Sequence, residues 1–187
     1  YQAIGFDHVE DMSGTWGIIE GTSIYTDYLA ERSLLEPVRA YLKQLEEQPD
    51  EVRRFVAEPL PFPGADDPAK HYIDTFVGRR VEAYVAEYES ARPSFVYVGF
   101  QGPHEPWDAP DRYADLYDLE AVPEPIPEHP AGDWLPQRSR DYYTFAQYYQ
   151  PPSPRALKQI TARYWGKIAQ IDDAIGGILS AYERKGW

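Results

Sequence analysis

Few side chains in this sequence can do chemistry, and one histidine stands out among them. Residues 102–107 read Gly-Pro-His-Glu-Pro-Trp. Imidazole exchanges its proton near neutral pH, so His104 suits general acid or base work. Proline fixes its own φ and restricts the residue before it, so a histidine held between Pro103 and Pro106 has little backbone freedom. The residues alone leave a second reading open, in which His104 is a turn residue hydrogen-bonded to a neighbour. The other candidates are weaker. His8 lies among Asp7, Glu10 and Asp11, but that spacing matches no tight metal-ligand pattern and reads as a solvated acidic loop. His71 reads as structural or solvated. Asp172 and Asp173 could be metal carboxylates, but capping or surface roles suit them better. There is no cysteine, which excludes disulfides and thiolate metal sites and leaves the redox compartment open.

The elements around His104 give it a place. Ser94 to Phe100 is a short apolar run rich in β-branched and aromatic residues, with Pro93 before it and Gly102-Pro103 after it. It predicts a strand buried on both faces, as in a parallel sheet between helix layers. In open α/β sheets, ligands bind beyond the carboxyl ends of such strands, which is where His104 falls.

A strand is also expected over Ala3–Phe6, and a Gly-rich loop over Ser13–Tyr28, in which Ser23, Thr26 and Asp27 are able to start a helix. Leu34–Glu47 reads as a helix with Leu35, Val38, Leu42 and Leu45 on its apolar face. A short helix is expected from Pro49-Asp50 to about Ala57, then a Pro-rich loop from Glu58 to Pro68. Ala69–Ser90 reads as a helix feeding the strand. Asp108–Asp111 is expected to cap a short helix carrying Tyr113, Leu116 and Tyr117. A Pro-rich stretch over Asp118–Pro136 leads to aromatics at Trp134, Tyr142, Tyr143, Phe145, Tyr148 and Tyr149. These either grip a sugar or aryl group or pack across the adjoining helices. Ser153 and Pro154 then open a helix whose apolar residues run from Leu157 through Ile160, Tyr164, Ile168, Ile171, Ile175, Ile178 or Leu179 to Tyr182. Gly176-Gly177 inside it implies close packing, and Gly186 marks its end.

A length of 187 residues suits one domain or a piece of one. A hydrophobic share of 43 % and an aromatic share of 15 % suffice for a packed core. The net charge of −13 disfavours nucleic-acid binding, which needs clustered Lys and Arg. No apolar run approaches the span of a bilayer, and the sequence carries no readable cellular address.

The segment FVYVGFQGPHEPWDAPDRYADLYD resembles the central part of the sulfatase family, within the alkaline-phosphatase-like superfamily. RYWGKIAQIDDAIGGILSAYERKGW is similar to that family's Ile-Asp-Asp/Glu-x-x-Gly helix, and GTSIYTDYLAERSLLEP to a Tyr-Thr-Asp segment of bacterial members. The resemblance covers nearly the whole chain. It implies an α/β fold: part of a three-layer α/β/α sandwich, helix-rich, with 1–187 as the central portion of one catalytic domain. An exposed sheet edge would then pair with the remainder of the parent chain.

The resemblance also implies hydrolysis of sulfate esters by a formylglycine made from Cys or Ser in a Cys/Ser-x-Pro-x-Arg motif. A divalent metal, usually calcium, would be held by aspartates with Asn or His. Of these parts only His104 carries over, beside the sulfate, with Glu105 and Trp107 flanking it as substrate contacts. No Ser stands in Ser-x-Pro-x-Arg, Ser153-Pro154-Arg155 having the wrong spacing. Asp66-Asp67 lies in a Pro-rich loop rather than after an apolar strand. The nucleophile and the metal ligands are therefore expected outside this segment, and the segment alone is expected to be inactive. The partner implied is a small-molecule or carbohydrate sulfate ester. A phosphodiesterase or phosphonate monoester hydrolase of the same superfamily remains an alternative, and so does a non-catalytic carbohydrate-binding or scaffold module.

Overall fold

The computed structural model describes residues 5–12, 14, 17–49, 58–89, 92–124, 137 and 153–187. Within 17–30, where the sequence reads as a loop, two short helices form: α1 (Gly17–Glu20) and α2 (Ile24–Ala30). Burial explains them, since Ile18, Ile19, Tyr25 and Leu29 all lie in the main core. Ser23 opens α2 as its side chain allows. Its Oγ accepts from Thr26 N at 3.2 Å, while Thr26 Oγ1 accepts from Ser23 N at 2.7 Å, a reciprocal cap that satisfies orphan donors. α3 (Leu35–Glu46) buries Leu35, Val38, Leu42 and Leu45, the face its spacing predicts. Arg39 ties α3 to the preceding turn through Ile18 O at 3.0 Å and Gly21 O at 2.9 Å. The helix expected over 50–57 lies outside the described residues, as do the aromatics Trp134, Tyr142, Tyr143, Phe145, Tyr148 and Tyr149 and the first half of the strand expected over Ala3–Phe6.

The helix expected from Ala69 to Ser90 is broken. A 3-10 turn over Pro68–His71 ends at Tyr72, whose extended backbone precedes α4 (Ile73–Glu87). Tyr72 packs edge-on against Phe62. Its hydroxyl accepts from Leu60 N at 2.9 Å, fastening the Pro-rich loop to the core. α5 (Asp111–Ala114) is a single turn with Pro110 rather than Asp108 before it. It buries Tyr113 but leaves Leu116 exposed.

The long closing helix, α6 (Pro154–Lys185), has the ends its sequence predicts. Ser153 Oγ accepts from Ala156 N at 3.1 Å, Pro154 takes the first helical position, and Gly186 adopts the left-handed conformation at φ 80°. Its packed face differs from the expected one. Ile160 and Ile178 are buried, but Tyr164, Ile168, Ile175 and Leu179 are exposed. Ala162, Gly166, Lys167, Gln170 and Ala181 are buried instead. Close approach is the reason. A Cβ on Gly78 of α4 would lie 2.8 Å from Ala174 Cβ, and one on Gly166 would lie 3.0 Å from Ala114 N of α5. Small residues let the helices meet backbone to backbone. Only half of the expected glycine pair takes part: Gly177 faces Glu82, whereas Gly176 faces open space.

The segment Ser94–Phe100 is extended, but among the described residues it pairs with no other strand. Nor is it buried on both faces, as its composition predicts. Val98 and Phe100 pack against the core, while Phe95 and Tyr97 are 78 % and 77 % exposed. A run of alternating side chains is covered only where something lies against it, and here that is α4 on one side. The N-terminal stretch lies beside it in the same chain order, with Phe6 stacked near Phe95 and Gly14 beside Gln101. A cleft of about 540 Å³, bordered by Ile73, Val77 and Val81 of α4, separates the two. The described residues thus form helices and unpaired extended segments rather than a closed three-layer sandwich.

The helix contact gives a paired prediction of opposite sign. Gly176→Ala is expected to raise stability by about 0.5–1 kcal/mol, the ordinary gain of Ala over Gly in a helix. Gly78→Ala gains the same propensity but drives a methyl into Ala174, and overpacking of about 1–3 kcal/mol should leave it less stable than wild type. Urea unfolding of both variants checks this. Equal gains would mean that α4 and α6 are free to move apart.

Candidate active site

The extended segment delivers the chain into the turn 101–108, and each end of that turn is held by a different helix. Asp74, in the first turn of α4, is 2 % exposed. Its Oδ1 accepts from Gln101 N at 2.7 Å and from Gly102 N at 3.1 Å, and Oδ2 accepts from Gly102 N at 3.1 Å. Burial pushes the Asp74 carboxyl above its ordinary pKa, opposed by Lys167 and by the two backbone donors. On the other side, Lys167 of α6 donates to Asp108 Oδ1 at 2.6 Å and to Pro106 O at 3.2 Å. The side chains of this ion pair are about 5 % and 4 % exposed. The chain beyond the turn is then laid along α6. Arg163 donates to Ala109 O at 2.7 Å and to Asp111 Oδ1 at 3.0 Å, and Tyr113 OH donates to Asp173 Oδ2 at 2.9 Å.

His104 projects from the middle of this turn with its side chain 60 % exposed. Its Nδ1 lies 2.8 Å from Glu105 O and 3.3 Å from Glu105 Oε2. A carbonyl only accepts, so the contact places a proton on Nδ1 and leaves Nε2 as the nitrogen that gains or loses one. His104, Glu105 and Trp107 all line one crevice of about 490 Å³, walled opposite by Ile160, Thr161 and Tyr164 of α6. The three residues singled out in the sequence thus border the same crevice. An apolar wall facing an imidazole can seat an organic group beside a proton donor or acceptor.

The other candidates have structural partners. His8 Nε2 lies 3.2 Å from Glu10 Oε1 and its ring stacks on Tyr84. Glu10 accepts from Arg80 Nε at 2.9 Å, a hydrogen bond that lowers its pKa. His71 Nδ1 lies 2.9 Å from Tyr28 OH, with the ring against Phe62. Burial, then Arg79 and Arg32, pull its pKa down. Asp67 accepts from Arg112 at 3.0 Å, and Asp173 is taken by Tyr113. Among the described residues no group of three or more His, Asp or Glu could hold a metal ion.

Asp74, Lys167 and the α6 wall did not emerge from the sequence as site residues, yet two of them leave a signal there. Asp74 sits beside Ile73 and one turn before Val77, on the inward face of α4. Lys167 falls in register with Ile160, Ile171 and Ile178. A charge on an apolar stripe implies a buried partner.

Residues 5–186 match the family described as Sulfatase. The chain is 32 % identical over 108 residues to an arylsulfatase of Clostridium perfringens, a match covering 55 % of this chain and 21 % of that protein. It is 30 % identical over 105 residues to iduronate 2-sulfatase of Homo sapiens, covering 50 % and 19 % respectively. It is 26 % identical over 141 residues to PehA of Trinickia caryophylli, described as a multifunctional alkaline phosphatase superfamily protein, covering 66 % and 27 %. The chain spans about a fifth of the length of the first two relatives. No solved structure matches it significantly.

Breaking the ion pair under the turn should be severe. Lys167→Met leaves Asp108 buried without a counter-charge and is expected to lower stability by about 3–5 kcal/mol. Adding Asp108→Leu should recover part of that loss by removing the orphaned Asp108 carboxylate, while Asp74 still lacks the Lys167 charge. Urea unfolding compares the two. A single variant as stable as wild type would mean that Asp108 is solvated.

Proposed function

The chain belongs to the sulfatase family, and on that premise we propose that it carries one side of the active site of a sulfuric ester hydrolase. His104 is the group that gives a proton or a hydrogen bond to the departing ester oxygen. The observation that carries this reading is the placement of His104, Glu105 and Trp107 on one crevice, on a turn fixed by two helices, within a chain that matches the family along almost its whole length. As the ester S–O bond breaks, negative charge develops on the leaving oxygen. Protonated Nε2 of His104 offsets it by donating, while Nδ1 stays on the Glu105 carbonyl. Trp107, Ile160 and Tyr164 border the space for the leaving group. We further read α4, α6 and the unpaired extended segments as one helical layer and part of the sheet of the family's three-layer α/β/α fold.

The family implies a divalent metal, usually calcium, and a formylglycine. The residues in hand do not fit either group. No metal-holding cluster occurs among the described residues, the chain has no cysteine, and no serine stands in Ser-x-Pro-x-Arg. The proposal assigns both groups to parts of the parent protein outside this segment, and no step is derived through them. The likeness to PehA, a multifunctional member of the wider superfamily, favours a second reading, a phosphodiesterase or phosphonate monoester hydrolase built on the same turn.

Steady-state kinetics of the full-length enzyme separate these readings. His104→Ala is expected to lower kcat for an aryl sulfate by about 10²–10⁴-fold, with a much smaller change in KM. Unchanged kcat would remove His104 from the chemistry. Faster turnover of phosphodiesters than of sulfate esters would select the second reading. The 187-residue chain by itself is expected to hydrolyse neither, and robust turnover by it would place the nucleophile inside the segment.

A further inference from the structure

Among the described residues His104 is anchored only by the adjacent Glu105, so there its position comes from the ends of its turn. We propose that Asp74 and Lys167 are positioning residues for His104, Asp74 holding the approach to the turn and Lys167 the exit. The proposal rests on the reading of His104 as an active-site group. Only Pro103, His104 and Glu105 lie between the two holds, and proline fixes one of the intervening φ angles.

The kind of side chain used supports a positioning role. Stability alone does not call for buried charge, since well-packed apolar residues commonly serve a core as well or better. An apolar residue at position 74, however, could not accept from two consecutive backbone N–H groups. The carboxylate does so at 2.7 and 3.1 Å and thereby sets the direction of the backbone as it enters the turn. Lys167 does the complementary job at the exit, where it reaches a carbonyl and a carboxylate at once. The backbone is also pressed onto this cluster. A Cβ on Gly102 would lie 2.7 Å from Asp74 Oδ2, 2.9 Å from Ile171 Cδ1 and 3.2 Å from Lys167 Cε. A methyl at 102 would thus have to displace the ends of these side chains, so the turn and the two charged side chains are in direct contact.

The first test needs no variant. The charged groups facing Asp74 are Lys167 from α6 and Asp108 from the end of the turn. In a pH series of amide NMR spectra of the wild-type chain, the Gln101 and Gly102 signals are expected to move together through one midpoint, above that of a solvent-exposed aspartate. Asp74→Asn and Gly102→Ala are then expected to speed hydrogen exchange at the amides of the turn by about tenfold or more, with the amides of α6 unchanged. In the full-length enzyme, Asp74→Asn and Lys167→Met are expected to lower kcat by about 10–100-fold with KM nearly held. Amides that do not titrate, or exchange that is unaltered in folded Asp74→Asn, would overturn the proposal. So would a loss seen only in KM. If the amides behave as expected while His104→Ala keeps full turnover, the holding of the turn stands and only the sulfatase reading of His104 falls.

Discussion

The structure depends most on one buried ion pair, Lys167 with Asp108, at 2.6 Å. It joins α6 to the end of the histidine turn, across a sequence separation of 59 residues. Two charges out of water are tolerated only when geometry and extra hydrogen bonds compensate them, and the Pro106 carbonyl supplies one such bond. Everything around the pair is arranged to keep it dry. Gly166 lets α5 close over the helix at backbone distance, and Ala109 and Pro110 bury the chain beyond the aspartate. Asp74 also feels the Lys167 charge, so one ammonium is shared in its field by two carboxylates. The turn sits above this small charged core in the way a loop sits on a scaffold that cannot slide.

α4 and α6 form the rigid body that makes such an arrangement possible. Their contact uses Gly78 against Ala174 and a hydrogen bond from Gln170 Nε2 to Thr75 Oγ1 at 2.9 Å. Lys185 reaches Ala86 O at 2.7 Å at the far end. Large apolar residues of α6 are left facing outward, as are Phe95 and Tyr97 on the extended segment. Apolar side chains at these positions have the composition of a core and the exposure of a surface. Together with a strand-like segment that pairs with nothing among the described residues, they are surfaces that the proposed three-layer fold would cover.

The sequence made the local structure legible and the packing much less so. α3, the caps of α2 and α6 and the left-handed Gly186 follow from signals within a few residues, because capping and periodicity are local physics. Glycines and polar residues over 13–28 read as a loop and hide α1 altogether, whereas of α2 only the start at Ser23 is legible; burial of Ile18, Tyr25 and Leu29 makes both helical. The face of α6 differs from its apolar spacing because that spacing reports what a helix is able to bury, whereas Gly166 and Ala174 report what approaches it. The strand at 94–100 was overread for the same reason: composition states a capacity for burial, and only neighbours realise it. His104 was legible because prolines mark its turn. Asp74 and Lys167 carry a signal, a charge on an apolar stripe, but that signal names no partner, and the partner lies far away in sequence.

Charge decides how much of the proposed chemistry this segment can supply. The chain carries a net charge of −13, and a sulfate ester is an anion. The residues lining the crevice include His104, Glu105 and Tyr164 but no Lys or Arg among the described residues. Lys167, the nearby cation, is committed to Asp108 and Pro106. Transfer of a sulfuryl group needs cationic or metal stabilisation of several oxygens at once. In the proposed enzyme this side of the site therefore provides the proton for the leaving oxygen and the wall for its organic group. The charge that holds the sulfate itself must come from the opposite side. The rigidity of the turn then acquires its purpose, because a proton donor on one body serves a reaction on another only if its position is fixed before the two meet.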